Sequence, residues 1–158
     1  MSILKMNICL VDDDPFFNAF MARSLMNKKY NVRCFSSGIQ ILDRLDQEPD
    51  LIFIDIQMDN MDGFQTSRIL KKKWPSVKIV LISSSECSEN SLNRESRFHD
   101  SFEPKSKDLS RIFKQLNHFK RRKQLRLFFT IIAFLMLVLG FFLLGESVDN
   151  ILYKIKST

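Results

Sequence analysis

The sequence predicts an α/β domain with a doubly wound five-stranded parallel sheet, followed by a single transmembrane helix. Apolar runs alternate with helical patterns five times between Asn7 and about residue 117, which is typical of a parallel sheet with crossover helices. The third run, Leu51–Ile54, is wholly apolar and bounded by Asp50 and Asp55, as in a central strand covered on both faces. Leu127–Leu144 contains no charged residue, which indicates a membrane span.

The first four elements are marked by apolar runs and by a capping sequence. Ile8–Val11 predicts the first strand, and Val32–Phe35 predicts the second. Between them, Asp14-Pro15 combines a favoured N-cap residue with proline at the first helical position, so an amphipathic helix is expected to reach about Lys28. A shorter helix is expected after Gly38, because apolar residues recur there at Ile39, Ile41, Leu42 and Leu45.

The second half of the domain shows similar signals. Asp62-Gly63 opens a helix that extends to about Trp74, and Ile79–Ile82 is another buried run. Residues 83–100 are polar and rich in serine, so the helix expected there is weak. Ser101–Glu103 is the expected last strand, and a final amphipathic helix is indicated by Leu109, Ile112, Phe113 and Leu116.

The C-terminal part of the chain has the composition of a membrane span. Leu, Phe, Ile or Val fill 14 of the 18 positions of Leu127–Leu144. At about 1.5 Å per residue, this stretch is roughly 27 Å long, close to the hydrocarbon thickness of a bilayer. The alternative is a buried helix of a soluble core, which is disfavoured because the preceding domain already looks complete.

Charge is distributed unevenly along the chain. Residues 1–119 carry 17 Lys and Arg against 16 Asp and Glu, whereas residues 120–126 hold five bases and no acid. A basic stretch beside an apolar span fits the positive-inside rule better than it fits a nucleic-acid surface, so no nucleic-acid partner is expected. The predicted parts are a folded domain at 1–119, a basic juxtamembrane linker at 120–126, a transmembrane helix at 127–145 and a short tail at 146–158.

The cysteines and the N-terminus are typical of a cytosolic domain. Cys9, Cys34 and Cys87 are far apart and form no CxxC pair, so we expect three reduced thiols, two of them on buried strands. The apolar stretch at the N-terminus is broken by Lys5 and Asn7, which disfavours a secretory signal.

Carboxylates stand at the C-terminal ends of two predicted strands. Asp12 and Asp13 follow the first strand, and Asp55 follows the third. Parallel strands bring these ends to one edge of the sheet, where ligands bind in open α/β folds. Close carboxylates repel each other by roughly 4 kcal/mol per pair, and a hard divalent cation such as Mg²⁺ relieves the repulsion. The pattern therefore favours a Mg²⁺ site over three unrelated solvated loop residues.

Together these segments resemble the response-regulator receiver family of two-component signalling, which has a flavodoxin-like fold. The resemblance covers about residues 6–117. Any one of its motifs alone is weak, whereas the spaced set is highly specific. The motifs are Val11–Pro15, Asp50–Met58, Met61–Gly63, Ile79–Ser84 and Phe102–Ser106.

The resemblance implies a role for each residue of the site. Asp55 is the expected phosphoacceptor, which attacks the phosphohistidine of a partner kinase. Ser83 is expected to hydrogen-bond one phosphoryl oxygen and Lys105 to pair with another, while the rotamer of Phe102 follows the phosphorylation state. The implied Mg²⁺ ligands are Asp12, Asp13, Asp55 and the backbone carbonyl of Gln57.

Some features favour other interpretations. Taken singly, Ser83, Lys105 and Phe102 are typical of a strand-end cap, a solvated lysine and a core aromatic, and only their shared register favours the site. Asp59 stands where the family usually has proline, and it adds a charge near the acidic pocket. A metal-dependent phosphatase of haloacid-dehalogenase type is disfavoured, because its Asp-x-Asp motif would need a second aspartate where Gln57 stands.

The predicted function is a membrane-anchored receiver that accepts a phosphoryl group on Asp55, with Mg²⁺ as cofactor. The expected partners are a sensor histidine kinase or a phosphotransfer protein, the membrane through residues 127–145, and a second copy through the last receiver helix. Such a chain is a phosphoacceptor that assists its own phosphorylation and dephosphorylation rather than an enzyme. The predicted location is the bacterial inner membrane, crossed once, with the receiver in the cytoplasm. The alternative is a phosphorylation-independent, receiver-like interaction module at the membrane.

Overall fold

Five parallel strands form one sheet in the computed structural model, which describes residues 5–84 and 95–156, with side chains described as far as residue 141. The strands are β1 (Asn7–Val11), β2 (Asn31–Phe35), β3 (Leu51–Asp55), β4 (Lys78–Ser83) and β5 (Ser101–Pro104). Their order is β2-β1-β3-β4-β5, so β2 lies on one side of β1, and β3, β4 and β5 follow in turn on the other side. This order confirms the doubly wound parallel sheet.

Four α-helices accompany the strands in the described residues. They are α1 (Pro15–Asn27), α2 (Gly38–Arg44), α3 (Gly63–Lys73) and α4 (Ser110–Lys156), and a 3₁₀ turn lies at Ser96–Phe98. The predicted cap is confirmed: Asp14 Oδ1 accepts hydrogen bonds from the backbone N–H groups of Phe16 and Phe17 at 2.9 and 3.2 Å. Asp62 likewise caps α3 by accepting from Gln65 N at 2.7 Å.

The two faces of the sheet bury alternate residues of each strand, because side chains alternate along a strand. On one face, Val11, Ile54 and Leu81 belong to a buried cluster that also contains Ile41 of α2 and Leu70 of α3. On the other face, side chains of α1 line a small void together with side chains of β1, β3 and β4. Every residue of β3 is buried, as predicted for a central strand with both faces covered.

One expectation about the cysteines was wrong. Cys9 on β1 is buried, but Cys34 on β2 is exposed, because β2 is an edge strand of which only Phe35 is buried. Burial raises the pKa of the Cys9 thiol to about 12, so Cys9 stays an inert, protonated core residue. Cys87 lies outside the described residues, as does most of the segment 83–100 for which a weak helix was expected.

The last helix, α4, runs for 47 residues without interruption. Ile112 and Leu116 near its start are buried, whereas every side chain from 121 to 139 is exposed. The basic stretch 120–126 is therefore helical and continuous with the apolar stretch that follows. Within the described residues, the part of α4 up to Phe141 is the one helix long and apolar enough to cross a membrane, and none of its most apolar stretch is buried.

Candidate functional site

The loop after β1 places two carboxylates at the edge of the sheet. Asp12 is 5% exposed, and its Oδ1 accepts a hydrogen bond from Asp14 N at 2.9 Å. The buried amide of Asn18 on α1 donates from Nδ2 to the backbone oxygens of Asp12 and Phe35, at 3.2 and 3.0 Å. Helix α1 thus ties the loop to the ends of β1 and β2, and Asp13, the next residue, is exposed beside Asp12.

The end of β3 carries Asp55, which is only 4% exposed. The loop that follows it is closed by a hydrogen bond in which Gly63 N donates to Ile56 O at 3.0 Å. A Cβ atom at Gly63 would lie 2.4 Å from the backbone oxygen of Asp55, so only glycine allows this close approach. The local packing therefore fixes the backbone from which the Asp55 carboxylate projects.

Lys105, from the loop after β5, links the two buried carboxylates. Its Nζ lies 2.9 Å from both carboxylate oxygens of Asp12 and 2.9 Å from Asp55 Oδ2. Its backbone N–H donates to Ser83 O at 2.6 Å, which holds the loop against the end of β4. The lysine and both aspartates were predicted as site residues, and the structure brings them into direct contact.

Burial and ion pairing act in opposite directions on these groups. Burial raises the pKa of Asp12, although the hydrogen bond from Lys105 lowers it in part. Burial alone would lower the pKa of Lys105, but its hydrogen bonds to Asp55 and Asp12 outweigh burial, so its pKa is raised. Lys105 is therefore a firmly charged ammonium group at neutral pH.

The acidic side chains fit a divalent cation. One carboxylate oxygen from each of Asp12, Asp13 and Asp55 lies within 4.8 Å of the others. Octahedral Mg²⁺ with ligands at about 2.1 Å spans about 4.2 Å between opposite ligands, so small side-chain movements would close the site. Three carboxylates and one lysine leave an excess of about two negative charges, which a divalent cation balances.

The other predicted site residues lie at the same edge of the sheet. Ser83 is the last residue of β4 and is 1% exposed, next to Ile82, whose Cα pairs with that of Asp55. Gln57 follows Asp55 by two residues, and its backbone N–H donates to Asp55 Oδ1 at 3.3 Å. Phe102 on β5 is half-buried against the core cluster, in register with Leu81.

Sequence reasoning missed two contacts in the site. The backbone N–H of Asp59 donates to Asp13 Oδ2 at 3.3 Å, a bond that proline at this position could not make. The ring of Phe17 on α1 lies under Lys105, with Nζ 4.8 Å from the ring centroid, within the range of a cation–π interaction. The departure from proline at 59 was a signal for the first contact, whereas no sequence signal indicated the second.

Most of the chain matches a known protein family. Residues 8–115 match the response regulator receiver domain family. The chain belongs to that family. The match covers all of the sheet except Asn7, together with all the residues of the acidic site, so membership of this family accounts for the fold. It also confirms the predicted two-component class.

Individual relatives agree with this assignment. The chain is 26% identical over 125 residues to the DNA-binding transcriptional regulator NtrC of Proteus hauseri. This alignment covers 76% of this chain and 26% of the relative. It is 34% identical over 76 residues to the sensor protein EvgS of Escherichia coli K12, 48% of this chain and 6% of that protein. This chain thus spans about a quarter or less of these two relatives.

A solved structure shares the receiver fold. The response regulator TrrA of Thermotoga maritima, solved in complex with Mg²⁺-BeF, has a TM-score of 0.67 and 22% identity, covering 72% of this chain and 98% of that chain. A CheY-like receiver domain protein of Methanospirillum hungatei has a TM-score of 0.65 and 20% identity, covering 75% of this chain and 98% of that chain. At such identities the likeness concerns the fold.

Proposed function

We propose that this receiver domain is a phosphoacceptor in a two-component phosphorelay and that Asp55 accepts the phosphoryl group. The observation that carries the proposal is the contact of Lys105 Nζ with Asp55 Oδ2 at 2.9 Å, beside the carboxylates of Asp12 and Asp13. A nucleophilic oxygen, a fixed cation and a divalent-metal ligand set at one sheet edge are what phosphoryl transfer needs.

The proposed step is an in-line displacement at phosphorus. A carboxylate oxygen of Asp55 forms the new O–P bond as the N–P bond of the donor phosphohistidine breaks, and the released imidazole nitrogen takes up a proton. The product is an acyl phosphate on Asp55. Lys105, already charged and already beside Asp55, would follow the negative charge onto one phosphoryl oxygen, and the Ser83 hydroxyl would donate to another.

Asp12, Asp13, Asp55 and the backbone carbonyl of Gln57 would hold the Mg²⁺ ion. When bound, the ion would supply positive charge to the phosphoryl oxygens. The protein's own contribution is to hold the carboxylates close together before the ion arrives, through the Asn18 and Asp14 hydrogen bonds that fix the β1–α1 loop. TrrA, which shares this fold, was solved in complex with Mg²⁺-BeF, which supports Mg²⁺ as the ion.

The proposed switch couples the phosphoryl group to β5. Lys105 and Phe102 lie on one short segment, and Lys105 N is bonded to Ser83 O. Movement of Lys105 and Ser83 toward the phosphoryl oxygens would pull this segment and change the packing of the half-buried Phe102 ring. Phosphorylation would thereby alter the β4–β5 face of the domain.

The test is intact-mass analysis after treatment with acetyl phosphate and Mg²⁺. One added phosphoryl group is expected in the wild type and none in Asp55→Asn. The matched control is Asp59→Asn, which removes an exposed carboxylate from the same loop and should still be labelled. Labelling that persists in Asp55→Asn would overturn the assignment, and an unlabelled wild type would favour the alternative of a phosphorylation-independent interaction module.

We also propose that the chain is anchored in the bacterial inner membrane by residues 127–145, with the receiver in the cytoplasm. The exposed apolar side chains of α4 and the five bases just before them support this orientation. Alkaline phosphatase fused to the C-terminus should be active and a fluorescent protein at the same site dark. The reverse pattern would exclude a single outward crossing.

The proposed partners are a sensor histidine kinase or a phosphotransfer protein, and a second copy of the chain through the last receiver helix. The relationship to the receiver region of a sensor protein such as EvgS supports the first. Transfer of radiolabelled phosphate from a purified phosphohistidine protein would test it. Cysteine cross-linking at Lys114→Cys, an exposed position on α4, would test the dimer.

A further inference from the structure

Five basic residues, Lys120, Arg121, Arg122, Lys123 and Arg126, form what we name the basic collar of α4. Four of their side chains are exposed and that of Lys120 is half-buried. We infer that the basic collar binds the headgroups of anionic phospholipids and thereby enriches these lipids around the helix. This inference deepens the proposed function and rests on the proposed membrane anchoring.

The bases of the collar are distributed around the whole helix axis. The collar is wholly within α4, so successive residues are about 100° apart. The five bases therefore project in all directions, with no gap wider than about 100°. A nucleic-acid backbone would contact one side of a helix, whereas lipid headgroups surround a helix that crosses a bilayer. The ring-like distribution favours lipid.

The length of the collar along the helix axis matches a lipid headgroup layer. From Lys120 to Arg126 the helix rises about 9 Å, close to the roughly 5–8 Å thickness of each headgroup layer. Directly after Arg126, large apolar side chains such as Leu127, Phe128 and Phe129 are exposed. The collar is thus placed where headgroups would lie if this apolar stretch enters the hydrocarbon.

The charge of the collar also favours anionic lipid. No Asp or Glu occurs between Asp108 and Glu146, so the residues three and four positions away from the collar bases along α4 include no acidic residue. The lysines of α3 differ in this respect. Lys71 donates to Val77 O and Asp100, and Lys73 donates to Leu45 O, so the fold itself uses those bases. The collar instead places five bases along α4 with no acidic residue among its neighbours in sequence, a charge pattern that complements anionic lipid.

The experiment uses the full chain in vesicles that contain phosphatidylcholine and phosphatidylglycerol. Trp74→Phe removes the only tryptophan, and Phe128→Trp places a reporter next to the collar. Quenching is measured with brominated chains on one lipid or the other. Brominated phosphatidylglycerol should quench at least about twofold more strongly than brominated phosphatidylcholine, and raising the salt from about 0.05 to 0.5 M should reduce this preference.

Two charge variants locate the effect. Replacing all five collar bases by Gln should abolish the preference. The matched control replaces five exposed bases elsewhere by Gln and should keep it; these are Lys5, Arg23, Lys29, Lys72 and Lys107. The salt dependence of the unaltered collar tests the proposal even if the collar variant fails to insert.

The outcomes separate this inference from the proposed anchoring. Equal quenching by both lipids would overturn the lipid preference but leave the anchoring in place. No quenching by either lipid would overturn both, because the helix would then lie outside the bilayer. A labelled DNA duplex added to the full chain in detergent provides a further arm. Collar-dependent binding of that duplex, together with equal lipid quenching, would assign the collar to nucleic acid and refute the inference.

Discussion

Removing the charge of Lys105 should destabilise the receiver domain and make its stability depend more strongly on Mg²⁺. Lys105 is the cation that contacts both Asp12 and Asp55, and these carboxylates are 5% and 4% exposed. In Lys105→Met the two charges would remain buried with no protein cation between them. Methionine keeps much of the aliphatic packing, so the change isolates the charge.

The size of the effect follows from the distances in the site. Two unit charges within 4.8 Å repel by about 3–4 kcal/mol at an effective dielectric constant near 20. Removing one partner of a buried ion pair costs about 3–5 kcal/mol, and the position of this site at an edge of the sheet places the loss at the lower end. We expect Lys105→Met to lower the free energy of unfolding by about 3–4 kcal/mol without Mg²⁺.

Mg²⁺ should restore much of this loss. A ligand at 100 times its dissociation constant stabilises by about 2.7 kcal/mol, and the ion would bind the variant more tightly because Lys105 no longer competes for the carboxylates. The pKa of Lys105 is raised above its ordinary value of 10.5. Its contribution should therefore be fully present at neutral pH and be lost only as the pH rises past that value.

The assay is urea unfolding of the full chain in detergent, followed by the fluorescence of Trp74. This is the only tryptophan of the chain and packs against the core cluster, so it reports on the receiver domain. Lys72→Met, at an exposed lysine of α3, is the matched control and should change stability by less than about 0.5 kcal/mol. The reasoning is refuted if Lys105→Met and Lys72→Met behave alike with and without Mg²⁺.

Three further predictions test other parts of the site and the fold. Gly63→Ala should destabilise the receiver domain by about 1–3 kcal/mol and slow its labelling with acetyl phosphate, because the added Cβ would meet the backbone of Asp55. The control is Gly140→Ala, since a Cβ atom there would have nothing within 4 Å. Equal unfolding curves for the two variants would contradict the prediction. Asp59→Pro should weaken Mg²⁺ binding several-fold in calorimetry, because it removes the backbone N–H that donates to the Asp13 carboxylate. Asp59→Ala keeps this N–H and should retain more of the Mg²⁺ affinity. A larger loss of affinity in the alanine variant would argue against the role of the N–H. Asp100→Asn should cost about 1–2 kcal/mol at pH 7. Burial would raise the pKa of Asp100, but hydrogen bonds from Lys78, Ile79 N and Lys71 lower it below 3.8. The stabilisation by the carboxylate is therefore present above pH 3.8, and the difference in stability between wild type and variant should shrink as the pH falls below that value. A difference in urea midpoints that does not depend on pH would refute this.

The strands, the helices and the acidic cluster of the site were largely predictable from local patterns. Capping by Asp14 and Asp62 and the wholly apolar run of β3 act within a few residues, so the sequence displays them directly. Strand ends with Asp12, Asp13 and Asp55 predicted the acidic cluster, because parallel strands bring their carboxyl ends together. The apolar stretch after Arg126 was equally predictable as a candidate membrane span, because composition and length alone define such a span.

Strand order is a tertiary property, and it decided what the local patterns could not. Cys34 stands in a stretch that was predicted to be a buried strand, yet it is exposed because β2 is an edge strand of the sheet. Whether a strand lies at the edge or in the centre of a sheet depends on which strands pair with it. That pairing is determined by contacts between residues far apart in the chain.

The working geometry of the site also arose only in the folded chain. Lys105 reaches Asp12 across 93 positions, and Asp59 reaches Asp13 across 46. Phe17 lies under Lys105 because α1 and the loop after β5 meet at the same edge. The sequence by itself determined which groups were available and where each element would begin. The tertiary structure decided which charges touch, because distances of a few ångströms between remote segments depend on the packing of the whole sheet.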